Sequence, residues 1–406
     1  PADRMGDRRM GEQFNRASSL GELVKAARSC KKGVSRKDGP MEFYITALGS
    51  GKQLQQAILS GRYHARPGTE VEIWRPKHRV ANAPYFKDRV WQRAMCDNGV
   101  YADLTRGFIP ENMACQKGKG TDLAIRTVIS FLQTLYWERP GAPIYGKHLD
   151  VVGYFPNTPQ GEVKELDTRR ITEPLFLPYL YEIIDQKEDP RHAEEIAADP
   201  FGRRGTGLGS QINQLNQVAL LDDIDHEIKA ICPQYIRYND DFLILNHSRE
   251  AVKEAEKIIW ERLRDLGLQA KDKAGMFSLP GSFYYLRKRF ILTDAGKIIL
   301  RLHPKALAEE RHALRSMKAL VDAGERTMQD VAVHYQSWIA NAEYAGDGPI
   351  RAMDSFYTQL FRRKPNYKRK RRYLYGTNCD GEGEDPSAGG RKGRASGANP
   401  QGRCQA

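Results

Sequence analysis

The stretch Gln234–Leu245, QYIRYNDDFLIL, decides the fold. Two short runs rich in Tyr, Ile, Phe and Leu flank Asn239 and Asp240, which is the pattern of a β-hairpin. Asn and Asp favour turns, so the acids Asp240 and Asp241 are open to reading as a turn pair. A second acid, Asp150 in LDVVGYFPNT, sits in another β-rich stretch. A carboxylate on an apolar strand is costly unless it is paired or bound to a metal. Three converging carboxylates resist ionising together. Hard divalent cations relieve that repulsion, and Mg²⁺ takes one or two carboxylates plus substrate phosphates. Two such ions about 3.5–4 Å apart activate an attacking hydroxyl and steady a leaving group, as nucleotidyl transfer requires.

Working outward, Gly120–Leu135 has helical spacing and Tyr145–Gly153 reads as a strand. Residues 185–204 read as a loop or lid, and Asn213–Ala230 as a helix. Ala251–Leu266 is amphipathic, with Val252, Ala255, Ile258, Ile259, Leu263 and Leu266 on one face and Gly267 as its stop. Short extended pieces follow, and residues 304–363 read as three helices broken near Gly324 and Gly346. Adjacent hairpin strands among helices predict an α+β core, an antiparallel sheet with helices on one face, rather than a parallel doubly wound sheet.

The chain has 406 residues, net charge +13 and pI near 9.3. With 40% hydrophobic residues most of it can bury a core, which excludes a largely disordered protein. It has no run of about 18 apolar residues and no apolar N-terminal leader, so no membrane partner is expected. It begins with Pro rather than Met, as a trimmed or partial chain would. Six cysteines without a C-x-x-C pair argue against zinc and for a reducing, cytoplasmic setting. Cys115 reads as a core thiol. Residues 361–406 hold 12 basic and 4 acidic residues, densest in RRKPNYKRKRRY at 362–373. Arg369, Lys370 and Arg371 there are candidates for nucleic-acid contact; a solvated tail explains the same charges.

The two acidic stretches resemble motifs of bacterial reverse transcriptases. Tyr238, Asn239, Asp240 and Asp241 resemble the YxDD motif. Asp150 followed by Tyr154 and Phe155 resembles the first palm motif. The likeness continues in family order: RPKHRVANAPYFKDRVWQRAM, ENMACQKGKGT, GTGLGSQINQLNQ, LGLQAKDKAGMF, YLRKRF and HYQSWIANAEYA. It implies a right-hand polymerase. Its expected parts are a basic, partly disordered segment at 1–40, fingers at 41–145 and a palm at 146–298 with an insertion near 160–212. A helical thumb at 299–365 and a disordered basic tail at 366–406 complete it. Gly209 to Gln214 fits a GxxxNQ pattern, nearer the GxxxSQ of diversity-generating retroelements than the Gln-Gly of intron and retron enzymes.

The resemblance implies Asp150, Asp240 and Asp241 as catalytic metal ligands, with the Val151 carbonyl beside them. Two Mg²⁺ ions are the implied cofactor, with Mn²⁺ a substitute. Lys77 and Arg79 would hold the triphosphate, or are solvated charge. Tyr154 and Phe155 would line the nucleotide site; Phe155 would exclude a 2′-hydroxyl, or is a core aromatic. Gln214 would meet the incoming nucleotide or template base, or is an exposed amide. Lys273 would protonate pyrophosphate, or is a solvated lysine. Arg237, Tyr238 and Asn239 would meet nucleic acid, with Arg237 alternatively paired to an acid. The implied partners are an RNA template, a DNA or RNA primer, dNTPs and a small basic accessory protein. The expected function is RNA-directed DNA synthesis in a diversity-generating retroelement. An intron-derived or phage-defence reverse transcriptase, a template-independent transferase and a non-catalytic RNA-binding protein are the alternatives.

Overall fold

The computed structural model describes residues 11–31, 38–73 and 79–369. Helices at Glu12–Ala17, Leu20–Cys30, Asp38–Ile45 and Ala47–Leu59 lead into a hairpin of β1 (Thr69–Ile73) and β2 (Arg79–Ala83). The segment expected to be only partly ordered therefore holds two packed helices. Leu23, Ala26 and Ala27 recur at helical spacing and are buried, a face that the high local charge concealed. Ser19 caps the second helix by accepting from the Glu22 amide.

The centre is a four-stranded antiparallel sheet of β3 (Ile144–Val151), β4 (Gln234–Tyr238), β5 (Asp241–Asn246) and β6 (Ala270–Leu279), in the order β4-β5-β3-β6. A three-stranded antiparallel sheet follows: β7 (Gly281–Tyr285), β8 (Lys288–Leu292) and β9 (Ile298–Leu302). Four successive residues of β5, Phe242 to Leu245, are all buried. Successive strand side chains point to opposite faces, so both faces of the sheet must be covered. Phe242 and Ile244 join a core with helix Arg249–Asp265, while Leu243 and Leu245 join a second core with helix Thr121–Glu138 and the three-stranded sheet. The expectation of helices on one face is corrected accordingly: the unbroken apolar run needs cover on both sides.

Helix Arg249–Asp265 matches its sequence pattern closely. Ser248 accepts from the Ala251 amide at its start. At its end Gly267 has φ 67°, and the Leu268 and Gly267 amides donate to the carbonyls of Leu263 and Arg264. This double bond around a left-handed glycine closes the last turn. Three differences are instructive. The helix expected at 213–230 is two, Gln211–Leu220 and Asp222–Ile231. The loop at 185–204 contains a short helix, Ala193–Ala198. Strand β6 was not foreseen because its Lys-Asp-Lys stretch is polar and exposed at a sheet edge.

Helices Ala306–Asp322, Met328–Ala342 and Asp347–Phe361 form a third core around Tyr335, Ile339, Met353 and Tyr357. The chain beyond them is docked at its start: the Asp354 carboxylate accepts from the hydroxyls of Tyr335 and Tyr367, each at 2.7 Å. The tail reading from residue 370 onward lies outside the described residues. Among the described residues no helix is long and apolar enough to cross a membrane.

Helix Gln211–Leu220 packs on helix Gln160–Arg170 through polar groups. Asp167 is fully buried and accepts one bond, from Asn216 Nδ2 at 3.2 Å, while its other oxygen has no partner. Burial pushes its carboxyl up to about 7, against the Asn216 bond, which acts to lower it. A raised native pKa means that the neutral acid is favoured in the fold. The associated stability is full below the unfolded carboxyl pKa and is lost as pH rises towards 7. Asp167→Asn is expected to raise stability at pH 8 by up to about 4 kcal/mol and to change it little near pH 4. Urea unfolding at the two pH values measures this; an equal effect at both would contradict it.

Candidate active site

Antiparallel register places Asp150 of β3 directly opposite Asp241 of β5. Asp240 lies in the two-residue turn that joins β4 to β5, and its carbonyl accepts from the Val151 amide at 3.2 Å. Asn239, the other turn residue, has φ 58°. Asn tolerates the left-handed region better than most residues, which suits it to a tight hairpin.

Each of the three carboxylates has its own donor. Lys273 Nζ is 2.7 Å from Asp150 Oδ2 and 3.9 Å from Asp241 Oδ1. His148 Nε2 is 3.2 Å from Asp241 Oδ1. Asn239 Nδ2 donates to Asp240 Oδ1 at 3.0 Å. These do not cancel the crowding. Burial, with Asp241 repulsion against the counteracting Lys273 bond, raises the Asp150 carboxyl pKa. Burial and repulsion from Asp150 and Asp241 raise that of Asp240. Burial opposes the charge on Lys273, but its bond to Asp150 and the acids around it prevail and raise its pKa. The cluster sets three carboxylates around one ammonium.

A second polar centre supports the turn from below. Arg237 is fully buried and bridges to Asp225 through Nε and Nη2, both at 2.6 Å. Tyr235 and Asn112 also donate to Asp225. Two further Arg237 N–H groups donate to the carbonyls of Val218 and Asn239, at 2.9 and 2.8 Å. The guanidinium thus grips the turn that carries Asp240. Its own backbone pairs with Glu111 and Met113, tying the ENMACQKGKGT segment to the edge of β4.

The structure therefore unites Asp150, Asp240, Asp241 and Lys273. It places other expected residues elsewhere. Arg237 is fully buried and paired with Asp225, the alternative role the sequence left open, so its side chain is not exposed to nucleic acid. Tyr154 is buried and donates from its hydroxyl to the Gln217 carbonyl at 2.6 Å, so it is a strut between helices rather than a substrate contact. Phe155 is half-buried in the same short helix, Tyr154–Asn157, and Gln214 is half-buried in helix Gln211–Leu220. Tyr238 is half-buried against the second core, with Thr121 donating to its hydroxyl at 3.4 Å. Val151 is buried beside the turn. Arg79 opens β2. Arg369 pairs with Asp347 at 2.5 Å and lies 3.7 Å from Glu343. Lys77, Lys370 and Arg371 lie outside the described residues. Cys115, expected in the core, is exposed.

His148, Asp225 and Asn112 were not singled out from the sequence. A signal existed for two of them. His148 precedes Asp150 by two positions and so shares its strand face. Asp225 shares a helical face with Leu221 and Ile228, where an acid requires a buried partner. Arg237→Leu would leave Asp225 as an unpaired buried charge, with an expected loss of about 3–5 kcal/mol. Adding Asp225→Leu should recover much of that loss in chemical unfolding. A loss no greater than that of an exposed pair would contradict the buried pairing.

Among the described residues, no three His, Cys, Asp or Glu side chains form a ready-made metal cage. The hard oxygens of Asp150, Asp240 and Asp241, crowded enough to raise carboxyl pKa values, still suit an ion that takes few protein ligands and completes its shell with phosphate and water.

In comparisons with known proteins, the chain matches no family model and no curated protein. Among solved structures it is similar to a telomerase from Candida albicans in complex with the TWJ fragment of telomeric RNA. That similarity has a TM-score of 0.42 and 11% identity, over 73% of this chain and 55% of that one. An apo telomerase from Candida tropicalis, truncated from its C-terminal domain, gives 0.41 and 11%, over 63% and 60%. The chain spans less than two thirds of either.

Proposed function

We propose that the chain is an RNA-directed DNA polymerase that extends a primer 3′ end by nucleotidyl transfer. The observation that carries this reading is the opposition of Asp150 and Asp241 across β3 and β5, with Asp240 in the adjoining turn. The central sheet would be the palm, the N-terminal helices and β1–β2 hairpin the fingers, and the three C-terminal helices the thumb. Asp150, Asp240, Asp241 and the Val151 carbonyl would hold two Mg²⁺ ions, which supply Lewis acidity at the attacking 3′-hydroxyl and the leaving pyrophosphate.

The protein's own groups do the rest. Lys273 forms its closest contact with Asp150. An arriving triphosphate competes for that ammonium, and the lysine then donates a proton to pyrophosphate as it leaves. Arg79 opens β2; together with Lys77 it would neutralise the phosphates as charge shifts. Phe155, just past β3, would set the room left for a 2′ substituent, and Gln214 would face the base. The GxxxNQ pattern favours the diversity-generating retroelement subgroup, with a small basic accessory protein as partner.

The test is primer extension on an RNA template with dNTPs and Mg²⁺, with sequenced products. Wild type should extend the primer, and Asp240→Asn should lose at least about 100-fold in rate while binding RNA as well as wild type. Errors gathered opposite template adenines would support the retroelement subgroup. RNA binding without synthesis would overturn the polymerase reading in favour of a binding role, and synthesis without template would replace it with a template-independent transferase.

A further inference from the structure

His148 has no assigned part in this chemistry, yet its surroundings are specific. It is 7% exposed and stands on the same face of β3 as Asp150. Its register partner is Leu243, so its contact with Asp241 Oδ1 runs diagonally across the strand pair. The Tyr285 ring of β7 packs edge-on against the imidazole, with centroids 5.4 Å apart and planes at 79°. Tyr285 is itself buried. The second sheet thereby holds the ring from behind while Nε2 faces the carboxylate. In the tautomer with hydrogen on Nε2, the ring donates to Asp241 Oδ1 at 3.2 Å.

We infer that His148 is a positioning residue for Asp241. The inference rests on the polymerase reading for its kinetic consequence, but its geometry stands apart from it. Asp241 sits at the first position of β5, where the strand leaves the turn. It can escape the repulsion of Asp150 by turning to solvent. The bond from His148 engages Oδ1 from the protein interior and holds the carboxylate beside Asp150. Lys273, 3.9 Å away and committed to Asp150, does not serve that purpose. The β7–β9 sheet is thus linked to the reaction centre through one ring contact and one hydrogen bond.

The test compares His148→Leu, which fills the space without a donor, with His148→Gln, whose amide Nδ-equivalent, Nε2, can still donate. Partners that orient metal-binding groups are typically worth 10–100-fold, so His148→Leu is expected to lower kcat by about that factor, with the dNTP KM and melting midpoint little changed. His148→Gln should restore most of the rate. In parallel, Mn²⁺ is titrated by electron paramagnetic resonance into the full chain without nucleic acid. Affinity should fall about 10-fold in His148→Leu and recover in His148→Gln. Equal Mn²⁺ affinity in wild type and His148→Leu would overturn the positioning role, as would equal losses in both variants with a lowered melting midpoint. If wild type makes no DNA, the polymerase reading fails while the Mn²⁺ comparison still decides the role of His148. If wild type binds no Mn²⁺ either, both fail.

Discussion

Two carboxylates held face to face across an antiparallel strand pair are the constraint around which this protein is organised. Like charges directly opposite on a sheet repel. Asp150 and Asp241 are nevertheless fixed in register by the β3–β5 ladder, and Asp240 is brought beside them by a two-residue turn. A fold that exists only to be stable has no reason to keep such an arrangement. The surrounding groups limit its cost without removing it: Lys273, His148 and Asn239 each serve one acid.

The turn itself depends on a buried anchor. Arg237 spends its guanidinium on Asp225 and on two carbonyls, one of them that of Asn239. The same arginine's backbone receives the loop at Glu111–Met113. One residue therefore locks a helix, a loop and the hairpin turn together, so the carboxylate cluster rests on anchored elements rather than on a free loop. Rigid support of this kind keeps functional groups in place between turnovers.

Much of this was legible in the sequence. The hairpin around Asn239 and Asp240 announced itself through β-formers flanking a turn pair, and helix Arg249–Asp265 through its apolar period and Gly267. The three acids stood out because they interrupt apolar surroundings. What stayed hidden depended on long-range pairing. A strand as polar as Lys271-Asp272-Lys273 shows no alternation, so β6 became visible only as an edge partner of β3. Tyr154 lies inside a motif string yet is spent on an internal bond, because motif position carries no information on burial. His148 and Asp225 acquire meaning only from groups 93 and 12 positions away. The packed helices at 12–30 were masked by local charge.

The central claim is that Asp150, Asp240 and Asp241 form a cation-dependent nucleotidyl-transfer centre. It is tested most directly by anomalous diffraction from crystals grown with Mn²⁺, a primer–RNA template and an unreactive deoxynucleoside triphosphate. The account predicts metal peaks bound by Asp150 and by at least one of Asp240 and Asp241, with triphosphate oxygens completing the shell and Lys273 drawn away from Asp150 towards phosphate. Nucleic acid bound with no metal at these carboxylates, and Lys273 still on Asp150, would contradict it.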